Sequence, residues 1–161
     1  MEIRKEPFGR TKSGEEVFLY TIENKNGMKV KVSDFGATLV SLIVPDKKGQ
    51  ADDVVLGYDD LEAYDTNKGY FGATVGRSAN RIAGAAFTID GVTYHLKANE
   101  NGNNLHSDAE LGYHKRIWKT EIMEQAIRFS YLSPDKEMGF PGTLHISVTY
   151  TLTDDNALEL H

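Results

Sequence analysis

The chain has 161 residues, enough for one domain with a substantial core, and its 18 Lys and Arg against 24 Asp and Glu give a formal net charge of -6. The basic residues are scattered rather than gathered into a stripe, which excludes the usual footprint of a nucleic-acid-binding protein. There is no cysteine, no apolar run of transmembrane length and no hydrophobic signal core after Met1. We therefore expect a cytoplasmic protein without disulfides, membrane contact or a thiolate metal site.

The first part of the sequence predicts short strands separated by turns. Residues 16–22 are rich in β-branched and aromatic side chains, and residues 28–32 alternate apolar and polar. Asn26-Gly27, a favoured hairpin turn, lies between them. Residues 37–44 form a more continuous apolar run that is typical of a buried strand, and residues 53–57 predict a short strand.

The second part continues in the same way after one predicted helical turn over residues 59–64. Asp90-Gly91 predicts a tight hairpin, and residues 144–152 alternate strictly, which is the clearest strand pattern in the chain. Many short strands with frequent turns predict an all-β sandwich or barrel. Because the sequence stops inside a further predicted strand, residues 157–161, we expect it to be the front part of a larger molecule.

A polar segment, residues 76–82 (GRSANRI), interrupts two apolar segments, residues 70–75 and 85–89. Arg81 offers a planar fork of five N–H donors, and Asn80 offers both a donor and an acceptor. Such groups can bracket neighbouring hydroxyls on a sugar ring. The alternative is a surface arginine beside an asparagine in a turn.

Among the histidines, His95 and His145 alternate with apolar neighbours and should face solvent, whereas His114 lies in a polar loop and is open to any role. His106 differs because it follows an apolar anchor at the end of an asparagine-rich segment, residues 99–104, which we expect to be a loop outside the core. A histidine so placed can donate to or accept from a ligand near neutral pH.

Three segments in this order resemble the aldose 1-epimerase family, also called galactose mutarotases: residues 76–82, residues 101–106, and residues 133–135 with 139–142. The resemblance implies an all-β supersandwich of antiparallel strands, of which residues 1–161 would be the N-terminal part of a single domain. It implies an isomerase that interconverts the α and β anomers of aldohexoses such as galactose or glucose, with no metal and no cofactor.

The resemblance also implies that Asn80 and Arg81 hold the hydroxyls of a monosaccharide substrate and that His106 bonds near the ring oxygen and the C1 hydroxyl. Ring opening needs a base at the anomeric hydroxyl and an acid at the ring oxygen. In the family these are a glutamate and a second histidine, both downstream of His161. We therefore expect no catalytic residue within this chain and no mutarotase activity from it alone.

Two other functions stay open at this point. One is a non-catalytic carbohydrate-binding protein on the same fold, since a fold alone does not fix a function. The other is an epimerase of hexose 6-phosphates, for which Arg77 and Lys115 could supply cations. Ser107 and Asp108 stand where the family usually has glycines, which leaves the loop shape and the preferred sugar undetermined. The oligomeric state is likewise undetermined.

Overall fold

A computed structural model of the chain describes residues 2–66 and 69–161. Within the described residues, nearly all of the regular secondary structure is β-strand, which confirms the all-β prediction. In chain order the elements are β1 (Glu2–Arg10), β2 (Glu16–Glu23), β3 (Lys29–Ser33), β4 (Thr38–Pro45), β5 (Ala51–Asp53), α1 (Leu61–Thr66), β6 (Arg81–Ile82), β7 (Ala86–Ile89), β8 (Val92–His95), β9 (Asn104–Leu105), β10 (Lys119–Ile122), β11 (Ala126–Ser133), β12 (Leu144–Leu152) and β13 (Leu158–Leu160).

Two larger antiparallel sheets form the body of the fold. The first has the order β1-β2-β3-β4-β5 and the second the order β10-β11-β12-β13, so neighbours in each sheet are also neighbours in the sequence. Two short antiparallel ladders, β6 with β9 and β7 with β8, come from the intervening stretch of chain. These short ladders carry the polar segments singled out in the sequence.

Of the two predicted two-residue hairpin turns, the one at Asp90-Gly91 is confirmed. At Asp90 and Gly91 both φ angles are positive, 52° and 78°, which is the conformation of a tight two-residue hairpin turn. The one at Asn26-Gly27 is wrong, because the β2–β3 ladder ends at Glu23 and Lys29 and only Gly27 of the pair has a positive φ angle, 82°. Between β2 and β3, the Asn24 carboxamide oxygen accepts the backbone N–H groups of Asn26 and Met28, each at 3.0 Å. These two bonds to the Asn24 side chain hold the connection between β2 and β3 in one conformation.

The main core lies between the two larger sheets. Tyr20 of the first sheet meets Phe129 of the second edge to face, with ring centroids 5.9 Å apart. The Tyr150 hydroxyl donates to the Ala37 carbonyl at 2.8 Å and so joins β12 to the start of β4. The buried members of this core are Tyr20, Ile22, Met28, Val30, Val32, Ala37, Tyr113, Trp118, Ile127, Phe129, Tyr150 and Leu152.

The predicted helical turn is confirmed as α1. The Asp60 carboxylate accepts the Ala63 N–H at 2.8 Å, which is the usual way an aspartate caps a helix start. Leu61 is buried and packs with Val17 of β2 and with Phe35. Within residues 2–66 and 69–161, no helix is long and apolar enough to cross a membrane.

Some strand predictions are wrong. β1 is not among the strands that the pattern predicts, and the strand predicted over residues 53–57 lies instead at Ala51–Asp53. The Asp53 carboxylate accepts the Leu42 N–H at 3.0 Å, which a continuing strand would have used, so the ladder stops there. Val54 is consequently 64% exposed.

The apolar residues 70–75, which precede the polar segment, form no strand. Tyr70 and Gly72 have positive φ angles, 55° and 62°, and the segment contacts β4 through single bonds, such as the Leu39 N–H to the Gly72 carbonyl at 2.9 Å. In contrast, Asn104 belongs to a strand and is fully buried, although the asparagine-rich segment was expected to be a loop outside the core.

Candidate functional site

The ladder between β6 and β9 brings together two segments that lie apart in the sequence. Arg81 pairs with Leu105, and the His106 N–H donates to the Asn80 carbonyl at 3.0 Å. Asn80 and His106 have positive φ angles of 62° and 54°, a conformation that asparagine and histidine adopt more readily than most residues. The three expected sugar-binding residues therefore lie side by side at one end of this ladder.

The backbone fixes how the His106 ring is used. Its Nδ1 accepts the Asn80 N–H at 3.0 Å, so in the neutral ring the proton lies on Nε2. The ring is half-buried, and the Tyr70 ring packs against it with centroids 5.0 Å apart. His106 thus presents an N–H donor at Nε2, while Nδ1 is occupied.

Arg81 is held by the carboxylate of Glu100, which no sequence motif marks. Its Nε donates to Glu100 Oε2 at 3.0 Å and its Nη2 donates to Glu100 Oε1 at 2.7 Å. Its Nη1 donates to the Asn80 side-chain oxygen at 3.3 Å. The hydrogen bond from Arg81 lowers the pKa of Glu100, which is therefore ionised at neutral pH. The Arg81 side chain remains 53% exposed.

The residues after His106 face the protein rather than a ligand. The Ser107 side chain is buried, and its hydroxyl donates to the Ser78 carbonyl at 3.0 Å and accepts the Ser78 N–H at 2.9 Å. The Asn104 amide donates to the Ser107 carbonyl at 2.6 Å. Ser107 therefore joins the two sequence motifs and leaves the ligand side to His106.

Asp108 is likewise directed inward. Its carboxylate accepts the N–H groups of Glu110 and Leu111 at 2.8 and 2.9 Å, and Lys97 lies 3.3 Å away. Burial acts to raise the pKa of Asp108, but these donors outweigh it and the pKa is lowered. The two departures from the usual glycines thus stabilise the loop from within.

His114, left open by the sequence, is buried behind this site. Its Nε2 donates to the Ala109 carbonyl at 3.1 Å, which assigns the proton of the neutral ring. Burial lowers the pKa of His114 to about 4. Its ring lies against Tyr70, with centroids 4.6 Å apart. His114 is therefore a neutral packing partner at neutral pH.

Arg77 is not free for a ligand. Its guanidinium donates to the Ser133 hydroxyl at 2.9 Å and to the carbonyls of Pro141, Ser133 and Pro134 at 2.9, 3.0 and 2.8 Å. The Ser133 hydroxyl in turn donates to Glu137. Arg77 therefore ties the first motif to the loop between β11 and β12, and the third segment of the resemblance is its partner.

Lys115 is also engaged by the protein, since its Nζ donates to the carbonyls of Tyr64 and Asp65, each at 2.7 Å. The hypothesis that Arg77 and Lys115 are available to a phosphate is wrong for both residues. Among the described residues, no group of three histidine or acidic side chains is placed to hold a metal ion.

Comparison with known proteins gives one family. The model of the aldose 1-epimerase family matches residues 19–161. A galactose mutarotase from Rattus norvegicus is 46% identical over 125 residues, which are 78% of this chain and 36% of that protein. An aldose 1-epimerase from Haemophilus influenzae is 42% identical over 143 residues, 88% of this chain and 41% of that protein.

The fold has a solved relative. The crystal structure of a GalM/aldose epimerase homologue from C. elegans superposes with a TM-score of 0.83 at 35% identity, covering 88% of this chain and 44% of that one. This similarity confirms the predicted supersandwich fold. The chain spans 36% and 41% of the length of the two curated relatives described above.

Proposed function

Because the chain belongs to the aldose 1-epimerase family, we propose that it forms the N-terminal, sugar-holding part of a single-domain enzyme that interconverts the α and β anomers of aldohexoses. Asn80, Arg81 and His106 are its substrate-binding residues in this proposal. One observation carries it: the Asn80 N–H lies 3.0 Å from His106 Nδ1 and so leaves the Nε2 donor for an oxygen of the sugar. Galactose and glucose are the candidate substrates.

The donors suit the anomeric end of a sugar. His106 Nε2–H can bond the ring oxygen or the C1 hydroxyl, while Arg81 and Asn80 hold other hydroxyls and so orient the ring. Orientation lowers the barrier only if an acid and a base act on the held sugar. Following the family resemblance, we assign those two roles to a histidine and a glutamate outside residues 1–161.

We favour a neutral hexose over a hexose 6-phosphate as substrate. A phosphate would need cations that are free to bind it, but Arg77 and Lys115 donate to backbone carbonyls, and Arg77 also donates to the Ser133 hydroxyl. The charge of Arg81 is already paired with Glu100. The site as described offers hydrogen-bond donors rather than unpaired positive charge.

Binding is tested by titrating the ¹⁵N-labelled chain with galactose and following amide and side-chain shifts. We expect saturable shifts at Asn80, Arg81 and His106. Arg81→Ala should weaken binding by about 10- to 100-fold, since a hydrogen bond from a charged donor is worth about 1.5–3 kcal/mol. Arg128→Ala, which removes an exposed arginine from the second sheet, is the control. A titration without saturable shifts at these three residues would contradict the proposal.

Activity is tested by polarimetry of freshly dissolved α-galactose. The chain alone should stay near the buffer-catalysed rate, because an acid and a base each contribute roughly 10²–10⁴ in rate. A chimera of residues 1–161 with the downstream part of the Haemophilus influenzae relative should be active and should lose kcat/KM on Arg81→Ala. Enzyme-like mutarotation by the chain alone would overturn the assignment of the acid and base. A folded chimera that binds galactose without catalysis would instead support the carbohydrate-binding alternative.

A further inference from the structure

The carboxylate of Glu100 forms a bidentate ion pair with one edge of the Arg81 guanidinium. It accepts from both Nε and Nη2, at 3.0 and 2.7 Å, so the plane of the guanidinium is fixed and not only its distance. Arg81 is 53% exposed, and an exposed arginine ordinarily retains many rotamers. The paired bonds therefore hold in one orientation a side chain that packing alone leaves free.

The Glu100 backbone is itself pinned. Its N–H donates to the Asn103 carbonyl at 3.1 Å, and the Asn103 N–H returns a bond to the Glu100 carbonyl at 2.8 Å. Between them Asn101 and Gly102 both have positive φ angles, 48° and 80°, which closes a tight turn. The Asn103 side-chain oxygen accepts the Gly84 N–H at 3.1 Å, so the turn is fastened to the end of β6. The backbone of Glu100 is therefore held in a fixed position beside Arg81.

The donors of Arg81 can be counted. Of its five N–H groups, two go to Glu100 and one goes to Asn80. Among the described residues, the remaining two, one on each terminal nitrogen, have no protein acceptor. Glu100 also places a negative charge against the cation, which reduces the attraction of Arg81 for an anionic ligand.

We infer that Glu100 is a positioning and specificity residue of the proposed sugar site: it aims the two remaining Arg81 donors at the ligand and makes the site prefer neutral sugars to anionic ones. This inference rests on the proposed function. A merely structural salt bridge would contribute to folding, but it would not change the relative affinity for a neutral and a charged sugar. The ratio of those affinities is therefore the diagnostic quantity.

The experiment measures dissociation constants of galactose and galacturonate for the chain by NMR titration at low and high salt. Glu100→Gln should weaken galactose and strengthen galacturonate, each by about 3- to 5-fold, as expected for a partly exposed ion pair. The gain for galacturonate should shrink at high salt because exposed charges are screened. Glu100→Asp keeps the charge but is one methylene shorter, so galactose should weaken while the preference for the neutral sugar stays.

The matched control is Glu23→Gln. Glu23 accepts from Arg4 at 3.0 Å in an ion pair of nearly equal exposure, 55% and 27% against 53% and 29% for Arg81 and Glu100. It should change neither affinity. Well-dispersed amide spectra and unchanged melting temperatures check that each variant is folded.

The outcomes separate the two proposals. If the unaltered chain shows no saturable binding of galactose, the proposed function fails. If it binds galactose and Glu100→Gln behaves like Glu23→Gln, only the role of Glu100 is overturned. If Glu100→Gln unfolds the chain, Glu100→Asp decides: galactose affinity equal to that of the unaltered chain would refute the positioning role, and weakened galactose binding with retained preference for the neutral sugar would support it.

Discussion

The ring of Tyr70 lies against the ring of His106, with centroids 5.0 Å apart and planes inclined at 51°. Tyr70 also packs against His114, whose ring centroid is 4.6 Å away. Tyr70 therefore packs between the imidazole of the candidate site and a buried, neutral imidazole. Orientation of His106 depends on this packing as well as on the bond from the Asn80 N–H.

Replacing Tyr70 tests this packing. Tyr70→Ala should leave the His106 ring free to turn and weaken galactose binding by about 3- to 10-fold, since an aromatic pair contributes roughly 0.5–1.5 kcal/mol. Tyr70→Phe keeps the ring and should bind as the unaltered chain does. The measurement is the NMR titration with galactose. Equal affinity in all three proteins would show that Tyr70 does not orient His106.

His114 should make stability depend on pH in the acid range. Burial lowers its pKa from 6.5 to about 4, so its contribution is present above pH 6.5 and is lost as the pH falls through 4. His114→Gln can still donate to the Ala109 carbonyl but does not titrate. When the pH is lowered from 7 to 4, the unfolding free energy measured with urea should fall more in the unaltered chain than in the variant, by up to about 3 kcal/mol. Parallel curves would contradict this prediction.

Asp34 should make the protein less stable as the pH rises, whereas His114 makes it less stable as the pH falls. Burial raises its pKa from 3.8 to about 6, against the bond that its Oδ1 accepts from the Phe18 N–H at 2.9 Å. Its contribution to stability is therefore present below pH 3.8 and is lost as the pH rises through 6. Asp34→Asn keeps an oxygen that can accept the Phe18 N–H but has no carboxyl group to ionise. Between pH 4 and pH 7 its unfolding free energy should therefore rise relative to that of the unaltered chain by up to about 3 kcal/mol.

The control for Asp34 is Asp52→Asn, an exposed carboxylate on β5. Urea unfolding at a series of pH values gives the free energy for each protein. The Asp52 variant removes an exposed carboxylate and is the baseline for the Asp34 variant. If the unfolding free energy of the Asp34 variant depends on pH as that of the unaltered chain does, burial does not disfavour the ionised form of Asp34.

Arg77 should matter for stability more than for binding. Arg77→Ala removes four hydrogen bonds to Ser133, Pro134 and Pro141 and should cost roughly 2–4 kcal/mol of unfolding free energy. Arg10→Ala, at a 63% exposed side chain, should cost less than about 0.5 kcal/mol. Urea unfolding measures both. Similar costs for the two variants would contradict a linking role for Arg77.

The sequence predicts those parts of the fold where burial and turn chemistry are local. β12 alternates and Asp90-Gly91 turns as predicted, because each depends on neighbours in the chain. β1 was missed because its pattern is mostly charged and exposed, and only its pairing with β2 defines it. Residues 70–75 look like a strand, but their backbone bonds go to β4 across the fold.

In the candidate site, too, the sequence predicts what local motifs mark and not what depends on contacts across the fold. Asn80, Arg81 and His106 could be proposed from the sequence because their residue types and the family motifs mark them, and the structure brings them together. Glu100 carried no such mark, since a glutamate in an asparagine-rich loop is ordinarily solvated. The burial of His114 could not be read from a polar loop, because it arises from packing against Tyr70.

The ladder of β6 and β9 has a consequence for the order of folding, because it encloses the hairpin of β7 and β8. From that hairpin, bonds run outward one after another: the Leu96 N–H to the Ala85 carbonyl, and then the Gly84 N–H to Asn103. Each bond shortens the loop that the next must close, so the entropy cost of each step is small. Once the β7–β8 hairpin has formed, closing the segment around His106 therefore costs little additional loop entropy.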